Sequence, residues 1–311
     1  MEKIRYNHLN SYLKDKFGSR TLKVCIDGGF TCPNRDGKVA TGGCLFCGSM
    51  GAGDLIKYRT DTILKSIESQ VTGFLASYRG ERAEKFIAYF QSFTNTYDTI
   101  ENLKLKYDKA LSSSEKFVAL EVATRPDCIN KEVVKLLASY KDKYFVCVEL
   151  GLQTANDNIG KIVNRGYTTS DFVSAVKLLR QYDIDVVAHI MIGLPGEDDR
   201  DVADTISLVN ECDVQGVKLH STFVMKDTGL EKMFNAGEYL PIEEDYYVDM
   251  VAKAISNLDK KIIIHRITAD PPKDKIVAPL WTTRKKLVMN AINRRLDELD
   301  IYQGDRKYTF K

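Results

Sequence analysis

Apolar residues along this chain fall into two alternating patterns. Compact runs rich in Val, Ile and Phe occur at LKVCID (22–27), KFIAYF (85–90), KFVALEVAT (116–124), YFVCVELGL (144–152), DVVAHIMIG (185–193) and GVKLHSTFV (216–224). Short runs of this kind, bounded by polar turns, read as strands. Apolar positions three and four apart predict helices over 62–78, 100–112, 130–140, 169–182, 201–212 and 243–258. Asn130, Thr168 and Ser170 stand where N-caps are wanted. Six strands alternating with six helices predict right-handed βαβ units, hence an α/β fold with a parallel sheet, open or curled. Six units are too few for the closed eight-stranded barrel and suit an incomplete one with an open side.

In a parallel α/β fold the functional loops follow the C-terminal ends of the strands. The unusual polar groups fall there. TCPNRDGKVATGGCLFC (31–47) follows the first strand, QSFTNTY (91–97) the second and TRPDC (124–128) the third. GLQTAND (151–157) and GLPGEDD (193–199) follow the fourth and fifth. The character changes near Lys260, where IIIHR (262–266) is a candidate further strand, a proline-bearing loop runs over 267–286, and a helix is predicted over 286–299. Residues 260–311 hold 13 Lys/Arg against 6 Asp/Glu, so in a chain of net charge +2 the remainder carries −5. The expected division is a core over 1–259 and a basic C-terminal extension over 260–311 packing on it.

Composition bounds the reading loosely. With 311 residues, 44% of them hydrophobic, the chain can bury a large core. MEKIRYNHLNSYLKDKF has no apolar segment of the kind a signal peptide carries, and no stretch is long enough for a membrane helix. A cytoplasmic protein without a membrane partner is expected. Seven cysteines are an odd number, and a reducing compartment argues against a disulfide framework. Cys25, Cys128, Cys147 and Cys212 lie in or beside apolar runs and read as core residues.

Cys32, Cys44 and Cys47 differ, because they sit in a polar, glycine-rich loop with the spacing C-x11-C-x2-C. Two cysteines separated by two residues can reach one metal. Structural zinc wants four closed ligands, and Cys25 or His8 would have to supply the fourth. An iron–sulfur cube held by three cysteines leaves one iron open to a ligand. Spacing alone leaves both sites open.

CIDGGFTCPNRDG and GGCLFCGSMGAGD resemble the cluster loop of radical S-adenosylmethionine (SAM) enzymes, specifically the YhcC/YtqA-type branch related to the catalytic subunit of Elongator. RYNHLNSYLKDKFG, YFQSFTNTY, VELGLQTAND, NRGYT, HIMIGLPGE, VKLHSTFVMKDTGLEKMF and HRITADPP are similar to that branch in the same order, so the resemblance covers nearly the whole chain. It implies a partial (β/α)6 TIM-like barrel. Cys32, Cys44 and Cys47 would hold a 4Fe–4S cluster, with the loop spanning 31–54, and the unique iron would bind the amino and carboxylate groups of SAM. One electron then cleaves SAM to methionine and a 5′-deoxyadenosyl radical that abstracts hydrogen from a substrate. Cys25 is not expected to be a ligand.

The same resemblance assigns roles to other loops. Phe46 is expected near the adenine. Gln91, Thr94 and Asn95 take the place of a glycine-rich motif facing the amino group of SAM, although the usual Gly-Gly-Glu is missing. Glu149 and Gln153 are candidates for the ribose hydroxyls, and a glutamate inside YFVCVELGL needs a partner in any case. Gly193, Pro195 and Gly196 of GLPGE allow close approach of backbone to the adenine. His189 and His220, within strand runs, are either satisfied core histidines or catalytic groups facing the substrate. Arg125, Arg266 and Asp270 are candidates for holding an anionic or polar substrate, the last two as catalytic residues. The likeness to the Elongator branch points to tRNA, with wobble-uridine modification as the expected reaction and flavodoxin or ferredoxin as the kind of electron donor. A small-metabolite substrate and a non-catalytic, zinc-stabilised RNA-binding module are the alternatives.

Overall fold

The computed structural model describes residues 4–49, 51 and 62–310. Residues 50 and 52–54 of the 31–54 loop lie outside them. Among the described residues there are nine strands: β1 (Thr21–Ile26), β2 (Lys85–Phe90), β3 (Phe117–Thr124), β4 (Phe145–Gln153), β5 (Asp185–Ile192), β6 (Gly216–Ser221), β7 (Val224–Met225), β8 (Ile263–Arg266) and β9 (Ile276–Ala278). Seven of them form one sheet in the order β1-β2-β3-β4-β5-β6-β8, with every neighbouring pair parallel. Strand order equal to chain order means that each crossover steps one place in the same direction. Right-handed crossovers of that kind put the helices on one face. The sheet therefore curls into a partial TIM-like barrel, with helices outside and a concave face inside.

Alternation along the strands separates the two faces. Val24 and Ile26, Phe86, Ala88 and Phe90, Leu120 and Val122, Val146, Val148 and Leu150, and Val186, Ala188 and Ile190 pack outward into the main core with the helices. The intervening residues line the concave face. Asn130 caps the helix Lys131–Ala138 by accepting from Glu132 N and Val133 N, and Thr168 caps Thr169–Arg180 in a capping box with Asp171. Ser170 lies inside that helix instead of capping it.

Two features go beyond the sequence reading, and one candidate strand is borne out. GVKLHSTFV breaks into β6 and β7, because Thr222 N still donates to Ile192 O at 2.9 Å, after which the chain leaves the sheet to pair with β9. The candidate segment at 262–266 supplies the seventh strand, β8, beside β6. A helix at Leu9–Phe17, unpredicted, closes the lower end of the concave face: Leu9, Tyr12, Leu13 and Phe17 pack on Ile87, Ala119 and Phe145. The helix Lys285–Glu298 buries Val288, Ile292 and Leu296 in the main core. Among the described residues no helix is long and apolar enough to cross a membrane.

Candidate functional site

At the C-terminal ends of the strands, the loop after β1 folds on itself and onto the segment after β4. Cys32 O accepts from Arg35 N at 2.8 Å, and Cys47 N donates to Cys44 O at 3.0 Å, which makes the tight turn the C-x2-C spacing requires. Asn34, fully buried, donates through Nδ2 to Asn164 O at 2.6 Å and to Cys44 Sγ at 3.6 Å. Asn164 Nδ2 answers to Gly43 O at 2.8 Å, and Leu45 N donates to Val163 O at 2.9 Å. Gly166 has φ 75°, and a Cβ there would come within 2.5 Å of Asn34 Oδ1, so the NRGYT segment must carry glycine at this point.

Arginines surround the sulfurs. Arg35 donates to Cys47 O and Gly48 O at 3.1 and 2.7 Å. Arg125 forms a bidentate pair with Asp127 at 2.9 and 2.8 Å and donates to Arg165 O at 2.9 Å. The Cys44 thiol donates to Cys47, and with Arg35 alongside this holds the Cys47 thiol down, at about 7. Cys32 acts on Cys44 through space only.

The donor set can be tested against the two metal centres the spacing left open. Among the described residues, one trio of His, Cys, Asp or Glu ligand atoms lies mutually within 4.8 Å, namely Glu121, Glu149 and His265. At least one pair among the three loop sulfurs therefore exceeds that distance. Zinc with 2.3 Å arms sets its sulfurs about 3.8 Å apart. Cys44 and Cys47 lie within hydrogen-bond reach of each other, and Cys32 acts on Cys44 only through space. Three thiols with no fourth ligand among the described residues, beside two guanidiniums, are a donor set that would suit an anionic cluster with one open iron. Cys25 lies on the concave face of β1 opposite Tyr89 of β2, away from this loop.

The other candidates fall into two layers. In the upper one, at the loops, Phe46 packs between Leu194 of the GLPGE turn and Val224 and Leu230. Asn95 is fully buried; its Nδ2 donates to Ala123 O at 2.7 Å and its Oδ1 has no partner. Thr94 Oγ1 and Ser92 Oγ are likewise buried without partners, which leaves three polar atoms of one loop open to a ligand. Gln91 ends β2, its N donating to Ile26 O at 3.3 Å. Gln153 adopts φ 61° and accepts from Tyr167 OH at 2.6 Å. Gly193 has φ 88°, and a Cβ would meet Ile242 at 2.7 Å. Pro195 is buried and Gly196 exposed.

Glu197 of the same turn escaped the sequence reading. Its Oε2 accepts from Gly193 N at 2.7 Å and Leu194 N at 3.2 Å, while Oε1 is buried and unpartnered. Burial raises its carboxyl to about 8 against those two N–H groups, so Glu197 is a proton donor at neutral pH.

The lower layer lies on the concave face. Glu149, fully buried, accepts from Lys23 at 2.9 Å, Lys218 at 2.5 Å and Tyr89 OH, and pairs with His189 Nε2 at 2.7 Å. Lys23 also reaches Glu121 at 2.6 Å. Burial pushes the Glu149 carboxyl up, but Lys218, Lys23 and His189 outweigh it and hold it well below the usual range. Burial raises Glu121 to about 8 despite Lys23, and lowers Lys218 to about 8 despite Glu149. Glu121, Glu149 and His265 are not an open metal site, because the Lys23 ammonium already bridges the carboxylates.

The structure thus places Glu149 and His189 in this network, with His220 beside them. The His189 and His220 rings are 5.5 Å apart, and His220 Nε2 is buried without a partner. Asp270 stands apart, paired with Lys285 at 2.9 Å on the exterior. Lys23, Tyr89, Glu121, Lys218 and His265 were missed. Their signal was present as polar side chains at every second position of apolar strands, in phase with Glu149 and His189.

Comparison with known proteins adds a second line. The radical SAM superfamily model matches residues 40–209, and the radical SAM C-terminal domain model matches 214–298. YtqA of Bacillus subtilis is 38% identical over 300 residues, spanning 96% of this chain and 92% of its own. A tRNA uridine(34) acetyltransferase of Methanocaldococcus jannaschii is 32% identical over 170 residues, 53% of this chain and 31% of its own. The structure of archaeal Methanocaldococcus infernus Elp3 with an N-terminal deletion superposes with a TM-score of 0.67 at 19% identity, covering 91% of this chain and 64% of that one.

Proposed function

Since the chain belongs to the radical SAM superfamily, whose enzymes use a 4Fe–4S cluster and SAM, we propose that Cys32, Cys44 and Cys47 hold that cluster here and that the enzyme modifies a wobble uridine of tRNA. The observation that carries the cluster assignment is the gathering of these three thiols, beside Arg35 and Arg125, at the mouth of the concave face. When bound, the cluster and SAM supply reductive cleavage of SAM and a hydrogen-abstracting 5′-deoxyadenosyl radical. The protein binds, orients and excludes water. Phe46, packed against Leu194, offers an apolar wall for the adenine. Thr94 Oγ1 and Asn95 Oδ1 are preset acceptors for the amino group of SAM, and Gln153 stands at the end of β4 for the ribose. Glu149 acts from beneath: its carboxylate is spent on Lys23, Lys218, Tyr89 and His189, which fixes the chamber floor and orients His189.

The tRNA substrate is supported by the likeness to a tRNA uridine(34) acetyltransferase and by the basic extension. An external one-electron donor of the flavodoxin or ferredoxin kind completes the reaction. The test is anaerobic reconstitution followed by iron and sulfide counting, with SAM, reductant and unmodified tRNA added. Four irons per chain and 5′-deoxyadenosine formation stimulated by tRNA are expected. Stoichiometric zinc without SAM cleavage would remove the cluster assignment. Cleavage indifferent to tRNA would leave the chemistry and remove the substrate.

A further inference from the structure

Beside the edge strand β8 lies a cavity of about 260 Å³, bounded by the N-terminal segment, β8 and the C-terminal helix. Its walls include Tyr6, His8, Asn10, Arg266, Thr268 and Lys285, and among the described residues no carboxylate lines it. Lys285 is held at the rim by Asp270, 2.9 Å away. His8 Nδ1 accepts from Asn10 N at 3.0 Å, so the neutral ring carries its proton on Nε2 and is a donor.

Arg266 is the unusual member. Among the described residues it has no ion pair, although Lys23, Lys218, Arg125 and Arg165 all do. A half-buried guanidinium without a carboxylate is costly unless something anionic visits it. Its charge is felt by Cys25, Lys218 and His220. Arg266 lines the cavity and pairs in register with Lys218 of β6, a member of the chamber network, so it stands between the two, where His220 Nε2 also lacks a partner.

We propose that Arg266, with Lys285 and His8, forms a binding site for a phosphate-class oxyanion of the substrate, next to the reaction chamber. The planar fork of Arg266 matches two phosphate oxygens, and the polar part of the remaining wall is neutral donors and a lysine, beside the apolar Ile264, Ile267 and Met289. A nucleotide whose base enters the chamber would leave its flanking phosphate in this cavity. This last step rests on the RNA reading; the anion site itself does not.

The test is calorimetric titration of the full-length, cluster-reconstituted protein with inorganic phosphate at constant ionic strength, with acetate and SAM in parallel. Saturable phosphate binding is expected, weakened roughly tenfold or more in Arg266→Gln and only partly restored in Arg266→Lys, which returns the charge but not the fork, while SAM affinity stays within about twofold. The Lys variant separates loss of charge from loss of folding. Unchanged phosphate affinity in Arg266→Gln, or no saturable binding in the wild type, overturns the site. Acetate binding tighter than phosphate overturns the phosphate class. Weakened SAM binding with intact phosphate binding overturns it too, and gives Arg266 to the carboxylate of the cofactor. Arg266-dependent phosphate binding without any tRNA binding sustains the anion site and removes only the RNA substrate.

Discussion

Lys218 Nζ lies 2.5 Å from Glu149 Oε2 on the concave face of the sheet, joining residues 69 positions apart. Lys23 reaches the other oxygen of the same carboxylate from 126 positions away. Glu149 is thus the hub of a buried network. Removing one member of such a network leaves uncompensated charge, which typically costs about 3–5 kcal/mol. Glu149→Gln is expected to destabilise the protein by that order, because two ammonium groups lose their counter-charge. Urea unfolding measures it. Lys218→Met should cost less, since Lys23 and His189 still serve Glu149. A Glu149→Gln variant as stable as the wild type would mean that the network is not closed in solution.

Cys44→Ala is expected to abolish cluster retention, because three thiolates are the fewest that hold a cube with one open iron. Iron and sulfide counts after reconstitution decide it. Cys25→Ala should keep its iron, since that thiol sits on the concave face away from the loop. Iron loss in Cys25→Ala with retention in Cys44→Ala would reassign the ligands.

The Glu197 carboxyl is raised to about 8 in the folded state, above its ordinary value of 4.5. Between these two values the unfolded chain has released the proton and the folded chain has kept it. Stability from this group is therefore full below about pH 4.5 and is lost as pH rises toward 8. Glu197→Gln keeps the acceptor for Gly193 N and Leu194 N but cannot ionise. The wild type should lose more thermal stability than the variant between pH 5 and 8. Parallel profiles would show that Glu197 is ionised at pH 5.

Arg165 is fully buried and donates to Leu152 O and Thr154 O at 2.7 Å, Tyr167 O at 3.0 Å and Asp157 at 2.6 Å. It thereby sets the segment on which Asn164 and Gly166 receive the cysteine loop. Lysine cannot reproduce the fork. Arg165→Lys is expected to cost about 2–4 kcal/mol and to speed amide hydrogen exchange over residues 31–49. Slow exchange there, unchanged in the variant, would uncouple the two segments.

Much of this protein was legible in its sequence. The alternation of strand and helix patterns is local, since each element's hydrophobic period reports the face it buries, and this led to a parallel α/β sheet with its functional loops at one end. The cysteine loop was legible because its thiols stand close together in a stretch with no apolar period. The Leu9–Phe17 helix was passed over, because its pattern gains meaning only from the barrel end it plugs.

The chemistry of the concave face was decided by tertiary structure. Strand alternation tells which side chains share a face, but not how far apart they stand. That distance depends on strand order, register and curl, each set by long-range pairing. Lys23, Glu121, Glu149 and Lys218 come from four strands, and only the curled sheet turns four isolated polar residues into one network. The same holds for Arg266: its sequence context shows a cation at the end of a short candidate strand, and its lack of an ion pair among the described residues appears only in the folded structure.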